Sequence, residues 1–416
     1  MLALLLVALP QAAAAAPDRH LGVGSCANSV CHGAVMPNPP PAFPLNEYVV
    51  WSTRDRHAKA YETLLGERAK AMAQRMGLPD AATAAVCLDC HADNVPAERR
   101  GPTFQLADGV GCEACHGGAS RWIESHAQPG RAHAANLAAG MYDLVDARSR
   151  VERCLDCHQG NDTQRATHEM MAAGHPRLSF EVDAFMVLQP WHHRPDAAYA
   201  KRKTVAPPVS NWLVGQAAAA VRLLDLLATD AASDAPFPEL VAFDCQACHH
   251  SMDDHRTRAR AELVMLAPGR VRIDDSALVM TRTLLGALEP GASAALHDGI
   301  VALHVASQAD RKRLRGAAEA LRDRIERSAE PLAARRIAPT EVVALERALR
   351  DLTLAGGVTD YALAEQVVLG LALLCSDAAT APCAKRQPAL DALYAATADE
   401  HRFAAGRFRE AMKLWR

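Results

Sequence analysis

The distribution of apolar and polar residues divides the chain into two parts. Between residue 20 and about residue 256, short helix-compatible segments alternate with proline-rich connectors such as residues 37–41, and little of the pattern is typical of strands. From about residue 257 onward, the sequence is rich in Ala, Leu and Arg and has helical periodicity. We therefore predict an all-α fold in which a region of short segments precedes a helical carboxy-terminal region.

Two stretches of the carboxy-terminal region carry apolar residues at helical spacing, which predicts amphipathic helices with one buried face. The apolar positions are Leu314, Ala318, Leu321 and Ile325 in the first stretch, and Val342, Leu345, Leu349 and Leu352 in the second. A glycine pair at 356–357 ends the second helix, and a third helix begins near Thr359. Its predicted buried face carries Tyr361, Val368 and Leu371. We expect five to seven helices in this region.

The beginning of the chain has the character of an export signal. Residues 2–9 form an apolar run that is too short to cross a bilayer, and the alanines at 12–16 are suitable for cleavage. No Lys or Arg precedes the run, as such signals normally require, and an amino-terminal core helix is the alternative. We expect residues 1–16 to be a signal peptide, the protein to be periplasmic, and the mature chain to contain no transmembrane segment.

Composition narrows the classes of function. With 50% hydrophobic and 22% charged residues, the 416-residue chain is globular rather than disordered or fibrous. Its formal net charge is −3, so it lacks the basic field that binds a nucleic-acid backbone, and nucleic acid is not an expected partner. The 12 cysteines and 18 histidines stand out, because such numbers in a long chain indicate disulfides, a metal or a covalently held cofactor.

Ten of the 12 cysteines form five pairs, and a histidine directly follows each pair. Four pairs have the spacing Cys-x-x-Cys-His of c-type haem attachment, and the first pair has four intervening residues. Two thiols add to two vinyl groups on one porphyrin edge, and the adjacent imidazole binds the iron. Motifs 1 to 5 are, in order, Cys26, Cys31 and His32; Cys87, Cys90 and His91; Cys112, Cys115 and His116; Cys154, Cys157 and His158; and Cys245, Cys248 and His249. We expect five haems c.

Zinc and disulfides are the competing interpretations of these cysteines. Motifs 2 and 3 have nearly the cysteine spacing of a zinc ribbon, but zinc does not require a histidine directly after each pair. Disulfides between such pairs do not explain the histidines either. The two remaining cysteines, Cys375 and Cys383, are expected to form a local disulfide in an exported protein.

An electron-carrying haem usually needs a second strong axial ligand, and ten further histidines precede residue 256. His168 and His175 would lie on one face of a helix that Gly174 and Pro176 end, and they could serve two neighbouring haems. At most one of the adjacent pair at 192–193 is a suitable ligand.

Several segments resemble the multihaem cytochromes related to cytochrome c554 and hydroxylamine oxidoreductase. They are Trp51-Ser52 and Asp55-Arg56-His57-Ala58 after the first motif, Gly109 to Gly117 with His126 downstream, and Gly174-His175-Pro176. The resemblance covers residues 20 to about 256. It implies that His57 and His126 are distal ligands, and it also suggests His175, His168 and His20.

The chain departs from that family in its motif count, which matches neither the four-haem carriers nor the eight-haem enzymes. It also lacks the Cys-x-x-Cys-Lys motif of pentahaem nitrite reductases, and none of its six tyrosines can be assigned as the catalytic cross-link of hydroxylamine oxidoreductase. We predict a pentahaem cytochrome domain at 17–256, packed around its haems, and a helical domain at 257–416.

Three functions are compatible with these residues. The first is electron transfer between redox proteins, such as a quinol dehydrogenase and a terminal reductase, through haems that are all six-coordinate. The alternative is an oxidoreductase in which one open haem acts on hydroxylamine or on a small nitrogen or sulfur oxyanion. The third is a haem-bearing assembly subunit. Two propionates per haem would make the assembled protein more acidic and favour basic partners.

Overall fold

The computed structural model describes residues 18–40, 42–189, 192, 197–201, 207–233, 239–249, 260, 263, 266, 270–376 and 383–415. The predicted signal peptide at residues 1–16 lies outside these ranges, as do His193, His250 and His255.

The described residues form an all-α structure, as predicted, in which two isolated bridges are the only strand-like pairing. The bridges join His20 to Arg100 and Phe243 to Ile273. Short helices with long connections form the first part of the chain. They are α1 (Glu47–Arg54), α2 (Ala60–Leu64), α3 (Glu67–Arg75), α4 (Ala85–His91), α5 (Cys112–His116), α6 (Ile123–His126), α7 (His133–Ala138), α8 (Ala147–His158), α9 (His168–Ala173), α10 (Val182–Leu188) and α11 (Ala197–Ala200).

Longer helices form the second part of the chain. They are α12 (Pro208–Ala232), α13 (Ser276–Leu288), α14 (Pro290–Ser307), α15 (Arg311–Ala329), α16 (Pro339–Leu354), α17 (Tyr361–Ser376), α18 (Gln387–Ala396) and α19 (Ala405–Met412). Seven of these described helices follow residue 257, which agrees with the five to seven that the sequence predicts.

The three predicted amphipathic helices correspond to α15, α16 and α17. The four apolar positions of α15 are all at most 2% exposed, and the first three of α16 are at most 1% exposed. In α17, Val368 and Leu371 are buried and Tyr361 is half-buried. The helical period of apolar residues therefore identified the faces that enter the core.

Helix α12 was not predicted, and its burial explains why. It packs against α8, α13, α15 and α17, so that apolar residues surround it and no single stripe appears in the sequence. Among the described residues, it is the one helix long and apolar enough to cross a membrane, and 72% of its apolar window is buried inside the structure. Trp212 and Leu224 at its centre are fully buried.

Helices α12 to α19 share one large apolar core. The fifth cysteine motif lies between α12 and α13 in the sequence, so this core includes helices that precede the motif and helices that follow it. Gln246 of that motif donates to the Glu400 carbonyl over 3.0 Å and accepts from the Tyr361 amide over 3.2 Å. Helices on both sides of the expected domain boundary at 256/257 therefore share a core, and the boundary itself lies outside the described ranges.

The expected local disulfide is present. Cys375, at the end of α17, is bonded to Cys383, and the bond closes the loop that leads to α18.

The close approach of α12 and α17 predicts opposite effects of two Gly-to-Ala substitutions. A Cβ added at Gly370 of α17 would lie 2.5 Å from Trp212 Cζ2, so Gly370→Ala should lower the free energy of unfolding by about 1–3 kcal/mol. Gly316 is exposed on α15 and has no neighbouring heavy atom within 4 Å of an added Cβ. Gly316→Ala should raise the free energy of unfolding by about 0.5–1 kcal/mol through helix propensity. Urea unfolding measures both, and equal effects would contradict the predicted contact.

Candidate functional site

Helix ends carry three of the five motifs. Motif 2 forms the end of α4, motif 3 forms α5, and motif 4 forms the end of α8. Cysteines three residues apart share one side of such a helix, and the histidine that follows is its last residue. Motif 5 begins with a single 3₁₀ turn, Cys245–Ala247, and its second cysteine and histidine follow that turn.

Motif 1 uses a hydrogen-bonded turn instead of a helix. The Cys31 amide donates to the Asn28 carbonyl over 2.9 Å, and the His32 amide donates to the Cys26 carbonyl over 3.2 Å. The Asn28 side chain accepts from the Val30 amide over 3.0 Å. The two additional residues of this motif are therefore absorbed locally, and His32 still follows the second cysteine.

Each motif histidine lies opposite one histidine from a distant part of the chain. We call these five contacts the imidazole pairs and number them by motif. The ring centroids are 6.2 Å apart in pair 1 (His32 and His126), 6.4 Å in pair 2 (His91 and His175), 6.4 Å in pair 3 (His116 and His192), 6.1 Å in pair 4 (His158 and His57), and 6.2 Å in pair 5 (His249 and His168).

These separations fit one metal ion between the two rings of each pair. A histidine nitrogen lies about 2 Å from a bound metal, which places the centroids of two opposed imidazoles roughly 6 Å apart. All five pairs therefore have the spacing expected for two axial ligands of one iron.

The outer nitrogens of four paired histidines have acceptor oxygens. His32 Nδ1 lies 3.0 Å from Glu47 Oε2, and His57 Nδ1 lies 3.1 Å from Asp55 Oδ1. His91 Nδ1 lies 3.0 Å from Thr63 Oγ1, and His175 Nδ1 lies 2.8 Å from the Pro176 carbonyl oxygen. An acceptor at Nδ1 fixes the tautomer that leaves Nε2 unprotonated, as ligation through Nε2 requires.

Burial and hydrogen bonding shift the pKa values of the paired imidazoles in opposite directions. Burial, followed by the neighbouring His57, lowers the pKa of His158 to about 4, so this ring is neutral at physiological pH. Hydrogen bonding to Glu47 raises the pKa of His32, and hydrogen bonding to Asp55 raises that of His57. Burial raises the pKa of Asp55, but its hydrogen bonds with His57 outweigh that effect and lower the pKa overall.

The turn after α9 places His175. Thr167 caps the start of α9, and Gly174 ends the helix with φ +118°, a backbone conformation that favours glycine. Two arginines of α3 bind the exposed carbonyls at this end: Arg75 donates to Ala173 and Arg68 to Gly174, each over 2.6 Å. The helix ends where the sequence predicts.

The two histidines of this segment do not share a helical face, because His168 begins α9 and His175 lies beyond its end. They nevertheless approach different motif histidines, those of motifs 5 and 2 respectively.

His20 occupies a different environment from the one that the resemblance suggests. Its side chain is buried, and Nδ1 lies 2.7 Å from Asp93 Oδ2. Its backbone joins Arg99 and Gly101 through two hydrogen bonds. Among the described residues, the structure brings His192 rather than His20 to a motif histidine. The sequence did offer one signal for His192, because it lies in the adjacent pair at 192–193, of which at most one histidine is a suitable ligand.

The motifs themselves are adjacent in pairs. Cys26 and Cys112 are close enough for each thiol to shift the pKa of the other, and so are Cys90 and Cys157. Cys157 Sγ also lies 3.8 Å from the Asp89 carbonyl oxygen of motif 2. Motif 1 therefore lies beside motif 3, and motif 2 lies beside motif 4.

The arrangement of cysteines gives no support to zinc. Among the residues that the structure describes, no three His, Cys, Asp or Glu side chains converge as metal ligands. Burial raises the pKa of Cys115 to about 12 and that of Cys154 to about 11. Cysteine pairs beside opposed imidazoles are instead the donor set of haem c.

Comparison with known protein families agrees with this donor set. Residues 25–117, which include motifs 1 to 3, match the family model described as cytochrome c554 and c-prime. Over these residues, the chain is similar to that family. This similarity agrees with c-type haem as the group that the motifs would hold. No curated protein and no solved structure matches the chain. A relation to hydroxylamine oxidoreductase is not part of the match and stays a prediction.

The protein has a further buried residue whose role the sequence did not reveal. Glu113, inside motif 3, is 3% exposed and accepts hydrogen bonds from three backbone amides. They are Leu21 at 2.8 Å, Gly22 at 2.6 Å and Ala119 at 2.7 Å. This carboxylate ties the amino-terminal segment to the third motif and to the turn that precedes α6.

We expect Glu113→Gln to loosen residues 19–23 and 118–119. The amide turns a donor group toward backbone N–H groups and removes the charge, which should cost about 1–3 kcal/mol locally. Hydrogen–deuterium exchange of the haem-loaded protein should show faster exchange in both segments. Glu124→Gln, at an exposed position of α6, is the matched control and should leave them unchanged. Unchanged exchange in Glu113→Gln would contradict the anchoring role.

Proposed function

We propose that this cytochrome is a periplasmic electron carrier that holds five haems c, one between the rings of each imidazole pair. The observation that carries the proposal is that all five motif histidines have an opposed histidine at 6.1–6.4 Å. Haem c, when bound, supplies a one-electron couple of iron. Two imidazoles per iron leave no position for a substrate, which suits transfer of electrons rather than catalysis.

For the distal ligands, we propose His126, His175, His192, His57 and His168 for motifs 1 to 5. His192 takes the place that the resemblance gave to His20, because, among the described residues, the structure brings the ring of His192 to that of His116.

The neighbouring motifs support a continuous path for electrons. Motif 1 lies beside motif 3 and motif 2 beside motif 4, since their thiols are close enough to shift each other's pKa. The thiols of Cys115 and Cys154 interact electrostatically, which relates motif 3 to motif 4. A cavity of about 170 Å³ has both His158 and Cys245 in its wall and relates motif 4 to motif 5. We propose the order 1, 3, 4, with 2 and 5 each next to 4.

Two features support export to the periplasm. Covalent haem c attachment and a structural disulfide, Cys375–Cys383, both belong to compartments outside the cytoplasm. The proposed partners are a quinol-oxidising cytochrome as donor and a terminal reductase as acceptor. Ten propionates on five haems would give the assembled protein a more negative charge, which favours partners with a basic docking face.

Substitution of the proposed distal ligands tests the assignment. We expect His192→Ala to convert one haem per molecule from low-spin to high-spin ferric iron, because the sixth ligand is lost. His20→Ala should leave all five haems low-spin. Low-temperature EPR of the oxidised protein, with covalent haem counted by intact mass, measures both. Added imidazole should restore the low-spin signal of His192→Ala.

Two results would overturn the proposal. Fewer than five covalent haems in the unsubstituted protein would contradict the cofactor count. A stoichiometric high-spin signal in the unsubstituted protein, perturbed by nitrite or hydroxylamine, would show an open haem and favour an enzyme instead.

A further inference from the structure

We propose that Glu47 and Asp55 are positioning residues that hold the haems of pairs 1 and 4 at lower reduction potentials than the haem of pair 2. The inference rests on the proposed function, since it assigns one haem to each pair. It goes beyond that function because it ranks three sites from their surroundings. The ranking depends on a single contrast, between charged and neutral acceptors at the outer nitrogens of the axial histidines.

Glu47 is built into the environment of His32. It is the first residue of α1, and its Oε2 lies 3.0 Å from His32 Nδ1. The next residue, Tyr48, donates its amide to the His32 carbonyl over 2.9 Å. The start of α1 is thereby fixed to motif 1, and the carboxylate of Glu47 is 19% exposed.

Asp55 holds His57 by two bonds to the same oxygen. Its Oδ1 accepts from the His57 amide over 2.8 Å, which caps the 3₁₀ turn Arg56–Lys59, and it lies 3.1 Å from His57 Nδ1. The Asp55 side chain is only 6% exposed, so its charge acts in a region of low dielectric constant. Gln189 Nε2 also approaches His57 Nδ1, at 3.4 Å.

Pair 2 has neutral acceptors on both of its rings. The Thr63 hydroxyl donates to the Ala60 carbonyl over 2.7 Å, so its oxygen accepts from His91 Nδ1 at 3.0 Å. The Ala60 carbonyl also lies 3.1 Å from that nitrogen. His175 Nδ1 is bonded to the Pro176 carbonyl at 2.8 Å. These acceptors orient the two rings without placing a carboxylate against either one.

The charge of the acceptor changes the donor strength of the imidazole. A carboxylate draws the Nδ1 proton more strongly than a carbonyl does, which makes Nε2 a stronger donor and stabilises ferric over ferrous iron. The negative charge of the carboxylate acts in the same direction, because oxidised iron carries one more positive charge. Reduction adds one electron to iron and breaks no bond, and the proton stays at Nδ1. Among these three sites, the first electron is therefore expected to reside at pair 2.

Substitutions that remove the charge of the carboxylate and keep an acceptor oxygen isolate this effect. We expect Glu47→Gln to raise the midpoint potential of pair 1 most, and Asp55→Asn to raise that of pair 4 most. A smaller rise is expected at pair 3, because both carboxylates also act electrostatically on His192. The ferric-to-ferrous ratio of the most affected haem at fixed potential should fall roughly tenfold, which is about 59 mV for a one-electron couple. Spectroelectrochemical titration of the haem-loaded protein measures all five midpoints.

The reverse change is available at pair 2. Thr63 is exposed at the end of α2, so Thr63→Asp places a carboxylate near His91 Nδ1 in a position that tolerates substitution. It should lower one midpoint potential. Glu67→Gln, which removes an exposed carboxylate paired with Lys70 on α3, is the matched control and should move no midpoint.

Haem content and EPR of the same samples separate the two levels of the argument. Five low-spin haems with unmoved midpoints in Glu47→Gln, Asp55→Asn and Thr63→Asp would overturn the ranking and leave the proposed function intact. Fewer than five low-spin haems in the unsubstituted protein would overturn the proposed function. If either charge-removing variant fails to take up haem, Thr63→Asp decides alone, because an unmoved or raised midpoint contradicts the inference.

Discussion

The opposition of imidazoles from distant segments is the constraint on which the amino-terminal part of the structure depends. Each imidazole pair joins residues that are far apart in the chain, and the intervening segments of different pairs overlap, as those of pairs 1, 2 and 3 do. Binding of a metal between such residues contributes its free energy to folding, since the pair does not exist in the unfolded chain. The described helices of this part are only four to twelve residues long, and under the proposed ligation the bound metal would close the long loops between them.

The carboxy-terminal part is stabilised differently, by a conventional apolar core, and α12 connects the two. Arg222 of α12 donates to Asp156 of motif 4 over 3.0 Å, and Arg165 makes a two-bond contact with Asp230 at the other end of α12. The helix that presents His158 is thereby fixed to the most buried helix of the core. The helical region therefore has a direct role in fixing motif 4.

The sequence predicted the five cysteine motifs well, and it predicted the histidines that lie opposite them less completely. Cysteine spacing and the following histidine lie within one helical turn, so the five motifs are readable without the fold. The opposed histidines depend on tertiary structure, and His57, His126, His168 and His175 were named because short motifs surround them. His192 was not selected, because nothing local distinguishes it from His193. Helix α12 escaped prediction for a related reason: its residues are buried on nearly all sides, so no amphipathic period marks it.

His20 and His192 illustrate how the surrounding fold determines which imidazole approaches a cysteine motif. Both are histidines near haem motifs, but the structure gives His20 a buried carboxylate partner and backbone bonds to the segment at 99–101. Its neighbours Leu21 and Gly22 are held in turn by Glu113, so this segment braces motifs 2 and 3 from outside. The ring of His192 instead lies opposite that of His116. The imidazole that approaches a motif is therefore determined by the fold around it, and proximity in sequence does not determine it.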